Sequence, residues 1–312
     1  MENILLYAAS VLIWGSTWFA INFQLGHVAP QVSLVYRYAI ATAVLFAWCL
    51  LRRRSLRFDL ASHAYFVGFG ALLFGINYYC SYHAQLYISS ALNAVAFSSL
   101  VWLNILNSRW LLRTRVEWST YAGAAIGIVG IVILFWPQVR TLSLSDRTLI
   151  GASYTLAGAL TASLGNILSQ RGQSRGLPVL QSNAWGMFYG TCLLGLFALV
   201  SGTPFTFERT MPYVVSLLYL ALFGSVIAFG CYLTLIGRIG AHRAGYSVVM
   251  FPVVALCLSA RYEGLVIDRH IVLGVALALA GNVVILTAAG RRKAPGAPAP
   301  ARPTRVAGQS TL

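Results

Sequence analysis

Ten apolar runs, each about as long as a bilayer is thick, constrain this chain more than any other feature. They cover approximately residues 4–24, 31–51, 64–83, 91–112, 119–136, 149–170, 179–201, 213–235, 243–261 and 270–289. A helix needs roughly 20 apolar residues to cross the hydrocarbon core. Backbone N–H and C=O groups find no water there, so only helices and closed barrels can span. Barrel strands are roughly 10 residues long with alternating polarity, and these runs are too long and too uniform for that. The expected fold is an all-α membrane protein of ten transmembrane helices. Composition agrees, with 58% hydrophobic and only 9% charged residues, where a soluble domain carries about 25% charged residues.

The N-terminal MENILLYAAS has no basic stretch ahead of its apolar run, and that run continues to spanning length. The first helix is therefore expected to be retained rather than cleaved as a leader. With the N-terminus taken as cytoplasmic, fifteen Lys and Arg fall on that side, counting the tail, and four on the other. Arg37, Arg109 and Arg261 lie within runs. The asymmetry predicts both termini in the cytoplasm. The net charge of +15 is thus a property of loops beside a membrane, and nucleic acid is not an expected partner. All five cysteines lie in apolar runs and none forms a C-x-x-C pair, so neither metal nor disulfide is expected. No nucleotide-binding glycine loop or H-E-x-x-H motif is present, and no cofactor is expected. The Pro-, Ala- and Arg-rich segment 291–312 is expected to be disordered.

The two halves resemble each other. GAAIGIVGIVIL begins at Gly123 and GVALALAGNVVIL at Gly274, so Gly123 and Gly130 correspond to Gly274 and Gly281. Near the other end of each half, Pro30 corresponds to Pro178. Five helices per half is an odd number, so the second half must enter the membrane upside down. The expected organisation is a first repeat at 1–136, a loop at 137–148, a second inverted repeat at 149–290 and the tail. Inverted repeats are a common construction of secondary transporters, with the substrate site at the repeat interface.

Longer stretches carry a family resemblance. The second half, through SNAWGMFYG at 182–190, the run 217–264 and LGVALALAGNVVIL at 273–286, resembles the EamA family of the drug/metabolite transporter superfamily. In the first half WGSTWFAIN at 14–22, YRYAIA at 36–41 and 77–99 agree with it. The resemblance covers residues 4–289 and implies ten helices in two five-helix repeats. It also implies a central cavity for small metabolites or drugs, usually moved outward. The family pattern has proline and glutamate in both halves. Here Pro252 and Glu263 face Val101 and Leu112 in the first half, which makes the fourth and ninth helices unequal.

Polar and aromatic side chains at depth tend to face a bundle interior or a cavity. On that basis the candidate substrate contacts are Trp14, Thr17 and Asn22 on the first helix and Asn77, Tyr78 and Tyr82 on the third. Trp102, Asn166, Trp185 and Tyr246 complete the set. For the aromatic members, plain packing or an interfacial belt is the competing reading. Pro252 removes a backbone donor and leaves the carbonyl of Val248 to be satisfied some other way; a hinge and a static kink both fit. No acidic residue sits mid-run, which leaves His83, Glu263 and Arg37 as candidates for coupling. Arg37 has three readings: pairing with Glu263, meeting an anionic substrate group, or snorkelling to the headgroups.

The expected function is a secondary transporter that exports small amino-acid-like or amphipathic solutes by alternating access. A non-transporting scaffold or receptor, and an uptake permease or facilitator of the same fold, are the alternatives. The expected partners are a small-molecule substrate and the lipid bilayer, with the chain working as a monomer or weak dimer.

Overall fold

Helix follows helix along the chain, as a lipid environment demands of a backbone that must pair its own polar groups. The computed structural model describes residues 2–113, 118–134, 136, 147–264 and 267–290, apart from the side chains of Tyr246 and a few other positions. The loop expected at 137–148 falls almost wholly outside these residues, and the tail 291–312 entirely so. Among the described residues all regular structure is helical. The helices are α1 (Glu2–Gln24), α2 (Pro30–Leu51), α3 (Leu60–Ala84) and α4 (Ser90–Leu112), then α5 (Trp118–Leu134) and α6 (Arg147–Ser174). They continue with α7 (Val179–Val200), α8 (Met211–Ile239), α9 (Phe251–Tyr262) and α10 (Arg269–Gly290).

Local chemistry sets several starts. Pro30 opens α2, where its missing N–H is no loss. Asp59 caps α3 by accepting the Ser62 N–H at 3.0 Å, and those bonds hold its carboxyl below the usual aspartate range. Among the described residues six helices are long and apolar enough to cross a membrane: α1, α2, α3, α4, α7 and α8. Of the others, α5 is described over 17 residues, α6 carries a buried polar face with Ser163, Asn166 and Ser169, and α9 is short because its approach is not α-helical.

The irregular turns fall in matching places. In α3 the segment Ala71–Ile76 is a π turn, and the Asn77 N–H reaches back to Leu72 O. In α8 the segment Leu220–Ile227 is another, with the Ala228 N–H on Phe223 O. Both contain Leu-Phe-Gly, at 73–75 and 149 positions later at 222–224. Midway along α4, at Ser98–Ser99, the N–H groups of Ser98 and Val101 pair with carbonyls three residues back. Ahead of α9 lies a 3₁₀ turn, Gly245–Met250. Ser98 donates to Val95 O at 2.6 Å, and Ser247, again 149 positions later, donates to Ala244 O at 2.8 Å. The break before α9 also resolves the proline problem. The Val248 carbonyl, opposite Pro252, takes the Phe251 N–H instead, so nothing is orphaned in the kink.

Glycines bring helices into backbone contact. A Cβ on Gly281 of α10 would lie 2.4 Å from Gly123 O of α5, and one on Gly130 of α5 would lie 2.6 Å from Gly274 O of α10. The early part of one helix therefore meets the late part of the other, and the two run antiparallel. In α3, a Cβ on Gly70 would sit 2.2 Å from Gly186 O of α7. Such close approach is how membrane helices gain packing without a hydrophobic driving force. The outward faces stay apolar: Leu12, Leu50, Ile128, Leu156, Leu196 and Val215 are all exposed. In water this would be an aggregation surface; against lipid it is the solvated face.

Gly281→Leu would force α10 away from α5. Overpacking of this kind costs about 1–3 kcal/mol. The expected result is a lower thermal midpoint in detergent with the assembly otherwise intact, and an unchanged midpoint would refute the contact.

Candidate functional site

The repeated breaks surround one internal cavity. Its walls come from α1 (Trp14, Thr17, Trp18, Ile21), α3 (Leu73, Asn77, Tyr78, Ser81) and α4 (Phe97, Leu100). Across from these stand Ala162 and Asn166 of α6, Phe229 and Tyr232 of α8, Val248 and Phe251. The spacing explains the convergence, because residues three or four apart lie on one helix face: Trp14, Thr17, Trp18 and Ile21 form such a face, as do Asn77, Tyr78 and Ser81.

The walls are aromatic and well braced. Trp14 packs edge-on against Phe229, Tyr232 and Phe251, with ring centroids at 4.7, 4.9 and 5.5 Å. Its indole N–H donates to Gly224 O in the α8 π turn at 2.9 Å. Trp18 meets Phe97 at 5.3 Å. The polar side is a short amide chain. Asn166 Nδ2 donates to Tyr232 OH at 3.1 Å and to Asn104 Oδ1 at 3.3 Å, and Asn77 Nδ2 donates to Leu73 O at 3.1 Å. The Oδ1 atoms of both Asn77 and Asn166 are buried without a protein partner. A buried acceptor left unpaired is costly, so these two atoms favour a solute or water that brings N–H or O–H donors.

The cavity volume is about 50 Å³. One water centre occupies roughly 10–15 Å³ by the same measure, so this conformation holds a few waters. A small-molecule site is typically about 300–1,000 Å³. The chamber is therefore too small for such a solute in this conformation.

One end of the chamber is tied by a carboxylate. Glu263, just beyond α9, accepts from Asn22 Nδ2 of α1 at 2.5 Å and Ser90 Oγ of α4 at 2.5 Å, and also from Ser259 Oγ of α9. No cation takes part among the described residues. At the opposite end, Arg238 of α8 holds Glu2 of α1 at 2.8 Å. Beside it lies a second, polar depression of about 390 Å³ between α6 and α8, lined by Gln170, Gln173 and Gly240 among others.

The structure thus brings Trp14, Thr17, Asn77, Tyr78 and Asn166 together around the cavity. Asn22 belongs to the Glu263 latch. Tyr82 is fully buried and accepts from Arg37 Nη1 at 3.2 Å. Trp102 packs elsewhere, its indole 3.5 Å from where a Cβ on Gly127 of α5 would lie. Trp185 braces α7, donating to Leu56 O at 3.2 Å and meeting His63 at 4.6 Å. His83 bonds Tyr79 O of its own helix at 2.8 Å and stacks near Tyr154. Pro252 is buried in the first turn of α9. The side chain of Tyr246 lies outside the described ones. Arg37 neither snorkels, being 0% exposed, nor pairs with Glu263, whose bonds go elsewhere. Phe97, Phe229 and Phe251 line the cavity with no polar signal to mark them. The repeated Leu-Phe-Gly was the available clue to the α8 wall.

The profile of the EamA-like transporter family matches residues 1–136 and 149–287. The chain belongs to that family. It is 24% identical to the uncharacterized transporter YoaV of Bacillus subtilis, covering 94% of this chain and 100% of that one. Identity to the uncharacterized inner membrane transporter YedA of Escherichia coli K12 is 27%, covering 93% and 92%. A probable amino-acid metabolite efflux pump of Escherichia coli K12 is 23% identical over 89% and 90%. A solved crystal structure superposes with a TM-score of 0.71 at 20% identity, over 93% of this chain and 98% of its own, and shows the same fold.

Removing the latch carboxylate with Glu263→Ala strands three donors. We expect a loss of about 1–3 kcal/mol in denaturant unfolding, with Glu263→Gln losing less because its carbonyl still accepts. With no cation in the latch, the loss should be the same at low and high salt. A strongly salt-dependent loss would show that Glu263 is held by charge pairing instead.

Proposed function

We propose that this transporter moves small amphipathic solutes by alternating access around the aromatic–amide cavity, in the export direction. The carrying observation is a narrow chamber lined from both halves of the chain beside broken helices. Irregular backbone is tolerated at membrane depth only where it is buried in protein or lines a cavity, and here the π and 3₁₀ turns cluster at the chamber wall.

The architecture we infer is ten spans in two inverted repeats, 1–136 and 149–290, with both termini cytoplasmic. Three features support it. The π turns of α3 and α8, and the breaks of α4 and before α9, recur 149 positions apart. The glycine contacts cross over, Gly123 with Gly281 and Gly130 with Gly274, which is the pattern a two-fold axis imposes on equivalent residues. The chamber draws on α1, α3 and α4 and on their counterparts α6, α8 and the α9 region, but not on α2, α5, α7 or α10. Two similar halves give two arrangements of similar energy, one open to each side. One chain supplies the walls, which fits a monomer or weak dimer as the working unit.

In this reading Trp14, Thr17, Asn77, Tyr78 and Asn166 contact the solute, joined by Trp18 and Tyr232. Glu263 closes the non-cytoplasmic end, and the bend at Pro252 is where α9 swings. The efflux description of the Escherichia coli relative supports the outward direction.

The test is solute profiling of medium from cells overproducing the protein, beside cells making correctly inserted Trp14→Ala and Trp14→Phe. A related set of solutes should rise with the unaltered protein and fall by about tenfold with Trp14→Ala, the factor that about 1.4 kcal/mol of lost contact represents. Trp14→Phe should fall between. Profiles identical to those of the empty-vector cells would overturn export.

A further inference from the structure

Among the described residues Arg37 is a buried cation without a counter-ion. Its side chain is 0% exposed, although it lies in the membrane-spanning helix α2. A guanidinium stays protonated in proteins, and an unpaired charge at such depth is expensive. Its neighbours are neutral. Nε donates to Ser225 Oγ at 2.9 Å and Nη1 to Tyr82 OH at 3.2 Å, while Nη2 has no partner. The rings of Tyr78 and Tyr38 lie 4.7 and 5.4 Å from its central carbon. Cation–π contact offsets part of the burial but brings no negative charge.

Every described acid is occupied elsewhere. Glu2 holds Arg238, Glu208 accepts from Thr210 and Glu263 forms the latch. Asp59 and Asp268 cap helices. Glu117 and Asp146 lie outside the described residues.

The free Nη2 lies beside Gly224, whose carbonyl anchors Trp14 of the chamber wall. A Cβ on Gly224 would lie 3.1 Å from Nη2 and 3.0 Å from the Thr17 methyl, so Gly224 leaves the space between them open. Thr17, on the far side of that space, and Tyr78, whose ring lies over the guanidinium, both line the cavity. A turn of the Tyr78 ring joins the guanidinium to the chamber.

We propose that Arg37 is the anion subsite of the chamber, and that the solute class is an amphipathic organic anion with an apolar or aromatic body and one carboxylate. The body lies against Trp14, Trp18 and Phe229, and the carboxylate displaces the Tyr78 ring and accepts from Nη2. The solute supplies the counter-charge that the protein lacks, so binding removes a penalty already present in the empty protein. This deepens the transport reading above and rests on it for the identity of the chamber.

The test uses purified full-length protein in nanodiscs and three probes sharing one body: 3-phenylpropanoate, 3-phenylpropanamide and 3-phenylpropylammonium. Equilibrium binding should favour the carboxylate over the amide by about tenfold or more, the scale of a charge-assisted hydrogen bond to a buried cation. The ammonium should bind most weakly. Arg37→Lys should keep the order with weaker binding, since it keeps the charge and loses the planar fork. Arg37→Gln should bind carboxylate and amide alike. If Arg37→Gln does not fold, Gly224→Ala serves, because its methyl fills the approach to Nη2 and should weaken the carboxylate selectively. Equal binding of carboxylate and amide by the unaltered protein, or a carboxylate preference that survives Arg37→Gln or Gly224→Ala, overturns the subsite. Counterflow in proteoliposomes separates the two claims. Selective binding without counterflow would sink transport and leave the subsite, whereas counterflow of all three probes at equal rates would do the reverse.

Discussion

Everything in this fold depends on backbone hydrogen bonding where no water is available. A regular α-helix solves that problem completely and leaves nothing for function. Four departures from regularity are kept: the π turns of α3 and α8, the break in α4 and the 3₁₀ approach to α9. Each re-pairs its own backbone, as when Val248 O takes the Phe251 N–H in place of the donor that Pro252 removes. Residues in or beside each line the same chamber: Leu73 and Asn77 at α3, Phe97 and Leu100 at α4, Val248 and Phe251 before α9, and Phe229 after the α8 turn. Gly224 O, which anchors Trp14, and Ser225 Oγ, which anchors Arg37, are adjacent residues of one π turn.

Outside the chamber the interactions are of another kind. Glycine-to-backbone contacts hold α5 to α10 and α3 to α7, and such surfaces resist deformation because there is no side chain to repack. Inside it the contacts are aromatic edges and neutral amides, which are easier to rearrange. At its ends stand a carboxylate held by three neutral donors and a surface ion pair, either of which can open at modest cost. Rigid pairs flanking a soft chamber with weak end ties form the arrangement that alternating access requires.

Much of this was legible in the sequence. Run length and composition gave a helical membrane protein, and the motifs at 14–22 and 217–264 gave the family. The candidates Trp14, Thr17, Asn77, Tyr78 and Asn166 share a wall because polar groups at depth seek an interior. Trp102 and Trp185 lie outside that wall, because spacing puts a residue on a face without saying which helix that face meets. Trp102 meets the Gly127 region of α5, and Trp185 the loop before α3. The depth of Arg37 was ambiguous for the same reason, since a long side chain two turns into a helix can point outward or inward. The π turns had no propensity signal, and only the repeated Leu-Phe-Gly marked them.

Alternating access requires that the two ends of the chamber open in turn. Pulsed electron–electron distance measurements on spin-labelled protein in nanodiscs test it directly. One label pair, at positions 86 and 262, reports the Glu263 end, and another, at 111 and 174, reports the opposite end. Alternating access gives two populated distances at each end, with solute shifting the two ends in opposite senses. A single distance at both ends, unmoved by any solute that binds, would contradict it.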